Sequence, residues 1–203
     1  EAGDAELIAA FERVDAARDD VSLTYFEFGT LGAMARFIDA GIDVAVLEVG
    51  LGGRLDAVNV FDADVAVVTS VDLDHMDYLG DSREKIGFEK AGIYRAGRPA
   101  ICIDPAPPVS LLEHARRIGA DLRCVDRDFS AQREDDHWTY RSLGTGWTEL
   151  PLPAMAGACQ LRNASGGLAA LEAIQDRLPV DVAAIRRGLA ATHVPGRFQY
   201  IAQ

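Results

Sequence analysis

Cysteine is scarce. Cys102, Cys124 and Cys159 are odd in number and widely spaced, which excludes a disulfide framework and a zinc pattern. Cys102 and Cys124 sit inside apolar runs and read as buried thiols, and the compartment they imply is a reducing cytoplasm. Long hydrophobic runs are also missing. No stretch approaches the roughly 20 apolar residues of a membrane span, and no basic-then-apolar leader opens the 203 residues. Positive charge is the third shortage: 20 Lys and Arg stand against 32 Asp and Glu, a formal net charge of −12. That balance argues against a nucleic-acid partner and against docking to an anionic membrane. A small anionic ligand stays open, because a few backbone N–H groups and one or two cations suffice to hold it. Internal repeats and low-complexity linkers are absent. So is any Gly-x-x-x-x-Gly-Lys-[Ser/Thr] phosphate loop, since Gly144-Thr-Gly146 has no lysine after it.

What is present is ordinary for a globular protein, 49% hydrophobic and 26% charged, and long enough for one substantial core. The spacing predicts helices over 4–18, from about 27 to 40, over 81–95, 107–118, 160–174 and 182–191. Gly41 and Gly119 are expected stops. Glu84 is expected to complete a capping box with Asp81. Residues 21–26 read as a β-like or irregular connection. Short apolar runs at Asp43–Glu48, Asp64–Ser70, Pro99–Ile103 and Leu122–Val125 predict buried strands. Polar alternation around Gly144-Thr-Gly146 predicts an antiparallel hairpin. Strands alternating with helices imply an α/β fold, a mostly parallel sheet flanked by helices, carrying a small antiparallel hairpin. One domain spanning 1–203 is expected.

The chemistry is expected at one sheet edge. The first strand ends in Glu48-Val-Gly-Leu-Gly-Gly-Arg-Leu-Asp-Ala57, and the second empties into Asp72-Leu-Asp-His-Met-Asp77. Ligands of open α/β sheets bind at the carboxyl ends of strands. Glu48 either ligates a cation or holds a structural arginine such as Arg54. A loop histidine is usually just solvated, but the place of His75 after a second strand, on the same edge as Glu48, favours a ligand. Glu and His around a hard cation would leave positions for phosphate oxygens, which suits Mg²⁺ with a nucleotide. Asp72, Asp74 and Asp77 form either a metal cluster or, as is usual for loop carboxylates, a solvated group, and Lys90 beside Glu89 reads as an exposed ion pair. His114, His137 and His193 look structural or solvated. The glycine turn also fits an S-adenosylmethionine-dependent methyltransferase or, loosely, a dinucleotide fold. Against both, Leu55 stands where the third glycine of Gly-x-Gly-x-x-Gly would fall.

Glu48-Val-Gly-Leu-Gly-Gly-Arg-Leu-Asp56, Leu73-Asp-His75 with Leu79-Gly80, Glu89-Lys-Ala-Gly-Ile93 and Pro195-Gly-Arg197 together resemble the bacterial bifunctional dihydrofolate synthase/folylpolyglutamate synthases, relatives of the Mur ligases. The resemblance implies a cytoplasmic ligase with a Mur-ligase-like ATPase domain. It would use ATP and Mg²⁺ to join L-glutamate to dihydropteroate or tetrahydrofolate through an acyl phosphate. It implies Glu48 and His75 as Mg²⁺ ligands and Lys90 as a carbamylated lysine that also reaches the metal. Asn163 would lie near the adenine, and Arg197 would reach the ATP phosphates. Thr24, Phe26, Asp56 and Ala57 fall where the family holds the pterin. Cys159-Gln160 departs from the His-Gln of many relatives. The family's phosphate loop would lie before position 1 and its glutamate-binding domain after 203, with residues 197–203 leading towards it. A non-catalytic nucleotide-binding scaffold is the reading that the missing loop favours.

Overall fold

The structure, a computed structural model, describes residues 2–195. These pack as two compact units, divided between Phe61 and Asp62. Arg197 and the apolar run Phe198–Ile201 lie outside the described residues.

The first unit pairs two helices, α1 (Asp4–Arg18) and α2 (Tyr25–Ala40). Their contact is close: a Cβ on Gly32 would come within 2.7 Å of the Phe11 ring, whose centroid lies 5.7 Å from that of Phe28. Arg13 ties the pair by bonding Asp39 at 2.9 Å and the Ala35 carbonyl at 3.2 Å. α2 starts two residues before the expected Glu27. Thr24 and Glu27 form a capping box, in which the Glu27 amide donates to Thr24 Oγ1 and the Thr24 amide to the Glu27 carboxylate. Tyr25 and Phe26 are therefore helical, and the β-like reading of 21–26 is corrected at these two positions. Gly41, at φ 59°, stops α2 as expected.

Asp43–Glu48 is the principal departure from the sequence reading. The segment joins no ladder among the described residues, and it is exposed rather than buried on both faces. Val46 is 91% exposed. Apolar composition marks a segment as fit for a sheet, but a strand exists only where a neighbour takes its N–H and C=O groups. After it come the glycine turn and a short 3₁₀ turn, Ala57–Val60.

The second unit is α/β. β1 (Ala66–Val68), β2 (Pro99–Cys102) and β3 (Asp121–Cys124) form a parallel sheet in that order, so β2 is central. Alternate residues of the sheet face different cores. Ala66, Val68, Ala100, Cys102 and Cys124 join Ile86, Tyr94, Leu111 and Ala115 from the α4–α5 side. Val65, Val67, Ile101, Ile103 and Val125 join the core around Trp138, Tyr140 and Leu168. The period of two explains how a nearly continuous apolar run serves both. Helices α3 (Met76–Leu79), α4 (Arg83–Ala91) and α5 (Val109–Ile118) fall between the strands. α4 is shorter than predicted and takes Ser82 as its N-cap. Glu84 does not cap its own helix. Its carboxylate accepts from the Val109 and Ser110 amides at 3.1 and 2.8 Å, capping α5 instead. These bonds from Ser110 hold it below the usual carboxylate range.

The expected hairpin is a three-stranded antiparallel sheet: β4 (Phe129–Arg133), β5 (His137–Ser142) and β6 (Gly146–Pro151). Glu172, on α6 (Gln160–Ala173), anchors it by accepting from Tyr140 Oη at 2.7 Å and Ser142 Oγ at 2.6 Å. α7 (Val182–Ala191) follows within its predicted bounds. No helix among the described residues is long and apolar enough to cross a membrane.

Two adjacent glycines of α6 test how it lies on the sheet. A Cβ on Gly166 would meet Ile103 Cγ2 at 2.7 Å, whereas one on Gly167 meets nothing within 4 Å. Gly166→Ala is expected to destabilise the chain by about 1–3 kcal/mol through overpacking. Gly167→Ala should stabilise it by about 0.5–1 kcal/mol through backbone entropy. Urea unfolding of the two variants measures both, and equal shifts would refute this packing.

Candidate functional site

In the first unit the glycine turn is held by one carboxylate. Asp56 Oδ2 accepts from the Gly50 and Leu51 amides, both at 3.0 Å, and Oδ1 from the Val58 amide at 2.9 Å. An ionised carboxylate has about four acceptor positions, so roughly one remains for a ligand. Phe26 lies against the same turn, and a Cβ on Gly50 would come within 2.8 Å of its ring. Glycine at 50 is what lets backbone and ring approach. Phe26 is still 45% exposed and offers an aromatic surface. Thr24, exposed two residues earlier, donates its hydroxyl to Glu27 at 2.8 Å and accepts the Glu27 amide, which leaves one lone pair. Ala57 opens the 3₁₀ turn beside Asp56. The structure thus gathers Phe26, Asp56 and Ala57 around the glycine turn, and α2 carries Thr24 at its start. Glu48 precedes this turn in the exposed segment 43–48, not at the end of a buried strand.

In the second unit the loop after β1 carries His75. Its backbone is left-handed, at φ 49° and ψ 43°, a conformation that costs a non-glycine residue about 1 kcal/mol or more and concentrates at functional sites. The Asp74 carboxylate accepts the His75 amide at 2.8 Å and lies 3.7 Å from its Nε2, while Asp72 accepts the Leu73 amide at 2.8 Å. Both carboxylates hold the turn and are not merely solvated. His75 opens α3, which packs on α4, and Lys90 is the penultimate residue of α4. Its side chain is half-buried, which corrects the reading of an exposed ion pair. A lysine also suits the negative end of a helix.

The loop is pinned by residues that the sequence reading passed over. Asp104, 4% exposed, directly follows the β2 run. Its Oδ2 accepts from the Val71 amide at 2.7 Å and from Arg83 at 2.9 Å, and its Oδ1 from the Ala106 amide at 2.9 Å. Burial alone would raise its pKa, but the Val71 and Ala106 amides and Arg83 outweigh burial and hold it below the ordinary range. A depressed carboxylate contributes stability at pH values above its ordinary pKa, and that contribution fades only as pH falls through the lowered one. The one sequence signal was an acidic residue placed where a doubly buried strand ends.

Asn163 lies in the first turn of α6, exposed, with its amide nitrogen 3.3 Å from Gln160 Oε1. Cys159, the N-cap, is exposed too. A cleft of about 680 Å³ opens at the hairpin turn Gly144–Gly146, lined by Trp147, Glu172 and Arg186 among others. None of the candidate site residues lines it, and Glu172 is already committed to Tyr140 and Ser142.

Among the described residues, no group of three or more His, Cys, Asp and Glu comes together to hold a metal ion. The described residues therefore offer no all-protein cage. An accessible imidazole fits a cation that keeps most of its shell from nucleotide phosphates and water, as Mg²⁺ and Mn²⁺ do.

Residues 14–106 match the family model of the Mur ligase middle domain. The chain is 46% identical over 195 residues to the dihydrofolate synthase/folylpolyglutamate synthase of Escherichia coli (strain K12), covering 96% of this chain and 45% of that protein. The structure of E. coli FolC in complex with DHPP and ADP matches with a TM-score of 0.94 at 45% identity, over 100% of this chain and 48% of that one. A bifunctional folylpolyglutamate synthase/dihydrofolate synthase with Mn, AMPPNP and L-glutamate bound gives 0.91 at 44%, over 100% and 48%. The chain spans about half the length of the relatives it matches. Nothing in these likenesses supports a methyltransferase. Residues 14–106 thus match a Mur ligase middle domain, and nearly the whole chain is similar to part of the dihydrofolate synthase/folylpolyglutamate synthases.

Proposed function

We propose that the complete protein is an ATP-dependent amide ligase that joins L-glutamate to dihydropteroate or to a tetrahydrofolate. The observation that carries this reading is identity of 45% or more to such enzymes over essentially the whole chain. In the proposed reaction ATP phosphorylates a carboxylate of the folate, and the amine of glutamate displaces the phosphate. Chemistry of this kind depends on positioning and on neutralising phosphate charge. A divalent cation, Mg²⁺ in the cell, would supply part of that positive charge. Glu48 and His75 are assigned to the cation, and Lys90, as its carbamate, to the same ion. Asn163 is assigned to the adenine and Arg197 to the phosphates. Phe26, with Asp56, Thr24 and Ala57, would hold the pterin: the ring supplies a stacking wall, and Asp56 one remaining acceptor position for a pterin N–H. A cytoplasmic reaction is part of this reading.

The pterin assignment makes a separable claim. In the full-length enzyme, Phe26→Ala should raise KM for dihydropteroate about tenfold and leave KM for ATP near normal, because a stacking wall binds ground and transition states alike. An equal rise in both constants would mean a folding defect instead of a lost wall.

Lys90 supplies the second test. Lysine reacts with CO₂ only as the neutral amine, and the carbamate it forms is an anion that a bound cation would hold. Lys90→Ala in the full-length enzyme is expected to be nearly inactive and to regain part of its kcat with acetate, which restores a carboxylate. Wild-type activity in the variant would leave Lys90 without a role.

A further inference from the structure

Arg83 and Asp104 form a closed clamp around two backbone segments. Arg83 Nε donates to the Val71 carbonyl at 2.8 Å, and Asp104 accepts the Val71 amide, so both polar groups of that peptide-chain position are held by one ion pair. The same pair holds Ala106, whose amide donates to Asp104 and whose carbonyl accepts from Arg83 at 3.0 Å. Val71 lies near the start of the loop after β1 and is 2% exposed; Ala106 lies after β2. Arg83 is the first residue of α4, so its side chain reaches back across twelve positions and closes the loop that carries His75. The helix that Arg83 begins ends next to Lys90. One half-buried ion pair therefore holds both ends of the His75 loop and the start of the Lys90 helix.

The two partners are unequal in exposure. The Asp104 side chain is 5% exposed and that of Arg83 is 42%. A surface arginine needs no such fork to stay soluble, and the guanidinium here spends its donors on two carbonyls and one buried carboxylate. Outer groups that fix a ligand's orientation commonly set metal affinity as strongly as the ligands do.

We propose that Asp104 and Arg83 are positioning residues for the cation–nucleotide site, acting through His75 by fixing the ends of its loop. This rests on the reading of His75 as a ligand to the cation. Asn at 104 would turn an amide N–H₂ towards a backbone N–H, and Lys at 83 offers its donors from a single nitrogen, without the planar fork that spans both carbonyls and the carboxylate.

The test uses the full-length enzyme and Mn²⁺ in the presence of AMPPNP, with bound Mn²⁺ measured from the loss of the free-ion electron paramagnetic resonance signal. Asp104→Asn and Arg83→Lys are expected to weaken Mn²⁺ binding about tenfold. KM for dihydropteroate should stay unchanged, since the pterin residues belong to the other unit. His75→Ala should weaken binding at least as much. In the double variant Asp104→Asn/His75→Ala the affinity should match that of His75→Ala alone, because a residue acting through His75 has nothing left to act on. Wild-type Mn²⁺ affinity in both clamp variants would overturn the proposal, as would losses that add in full in the double variant. If Asp104→Asn does not fold, Arg83→Lys, at a partly exposed position, decides by the same criteria. Wild-type affinity in His75→Ala would instead sink the ligand reading on which the proposal rests.

Discussion

β2 is buried on both faces, and this constraint organises the second unit. Ala100 and Cys102 pack towards α4 and α5, while Ile101 and Ile103 pack towards the antiparallel sheet and α6. All four are between 0% and 1% exposed. A strand so placed cannot slip by one residue without exchanging two cores, so its register is secure and its end is fixed in space. Asp104 stands at that end. A carboxylate there is forced either to leave the protein or to find partners, and it finds two amides and a guanidinium. The loop that carries His75 inherits its starting point from this pair.

The first unit solves a similar problem with a different carboxylate. Glycines at 50, 52 and 53 give the turn freedom, and freedom without restraint would blur any site built on it. Asp56 removes the freedom by accepting three amides, and Phe26 occupies the space that the absent Cβ of Gly50 leaves. The two acidic residues therefore do comparable structural work, each converting a flexible crossing of the chain into a defined surface. In both units the residues that could touch a ligand are the partly exposed neighbours of these anchors.

Helices were the most legible part of the sequence. α1 and α7 carry the predicted bounds, and Gly41 and Gly119 end helices in the left-handed conformation their position suggested. The misses have local causes. Tyr25 and Phe26 read as β-formers, yet the Thr24–Glu27 capping box overrode their propensity. Glu84 sat at capping-box spacing from Asp81, but a helix N-terminus twenty-five residues away competed for it and won. Asp43–Glu48 had the composition of a strand but pairs with no other strand among the described residues, which no pattern within six residues can reveal. Of the candidate site, Phe26, Asp56 and Ala57 were named only through the family resemblance, and the structure brings them together at the glycine turn. His75 was legible from its place after β1. The Arg83–Asp104 clamp was not, since it joins positions twenty-one apart that carry no motif. The left-handed backbone of His75 is likewise invisible to residue type.

The central claim is that His75 meets the cation that accompanies the nucleotide. Electron spin-echo modulation of the full-length enzyme with Mn²⁺ and AMPPNP tests it most directly, because an imidazole nitrogen bound to Mn²⁺ imprints its own nuclear frequencies on the echo. The account predicts a ¹⁴N coupling in the wild type that is lost in His75→Ala while Mn²⁺–AMPPNP remains bound at saturating concentration. The same coupling in wild type and variant, or none in either, would contradict it.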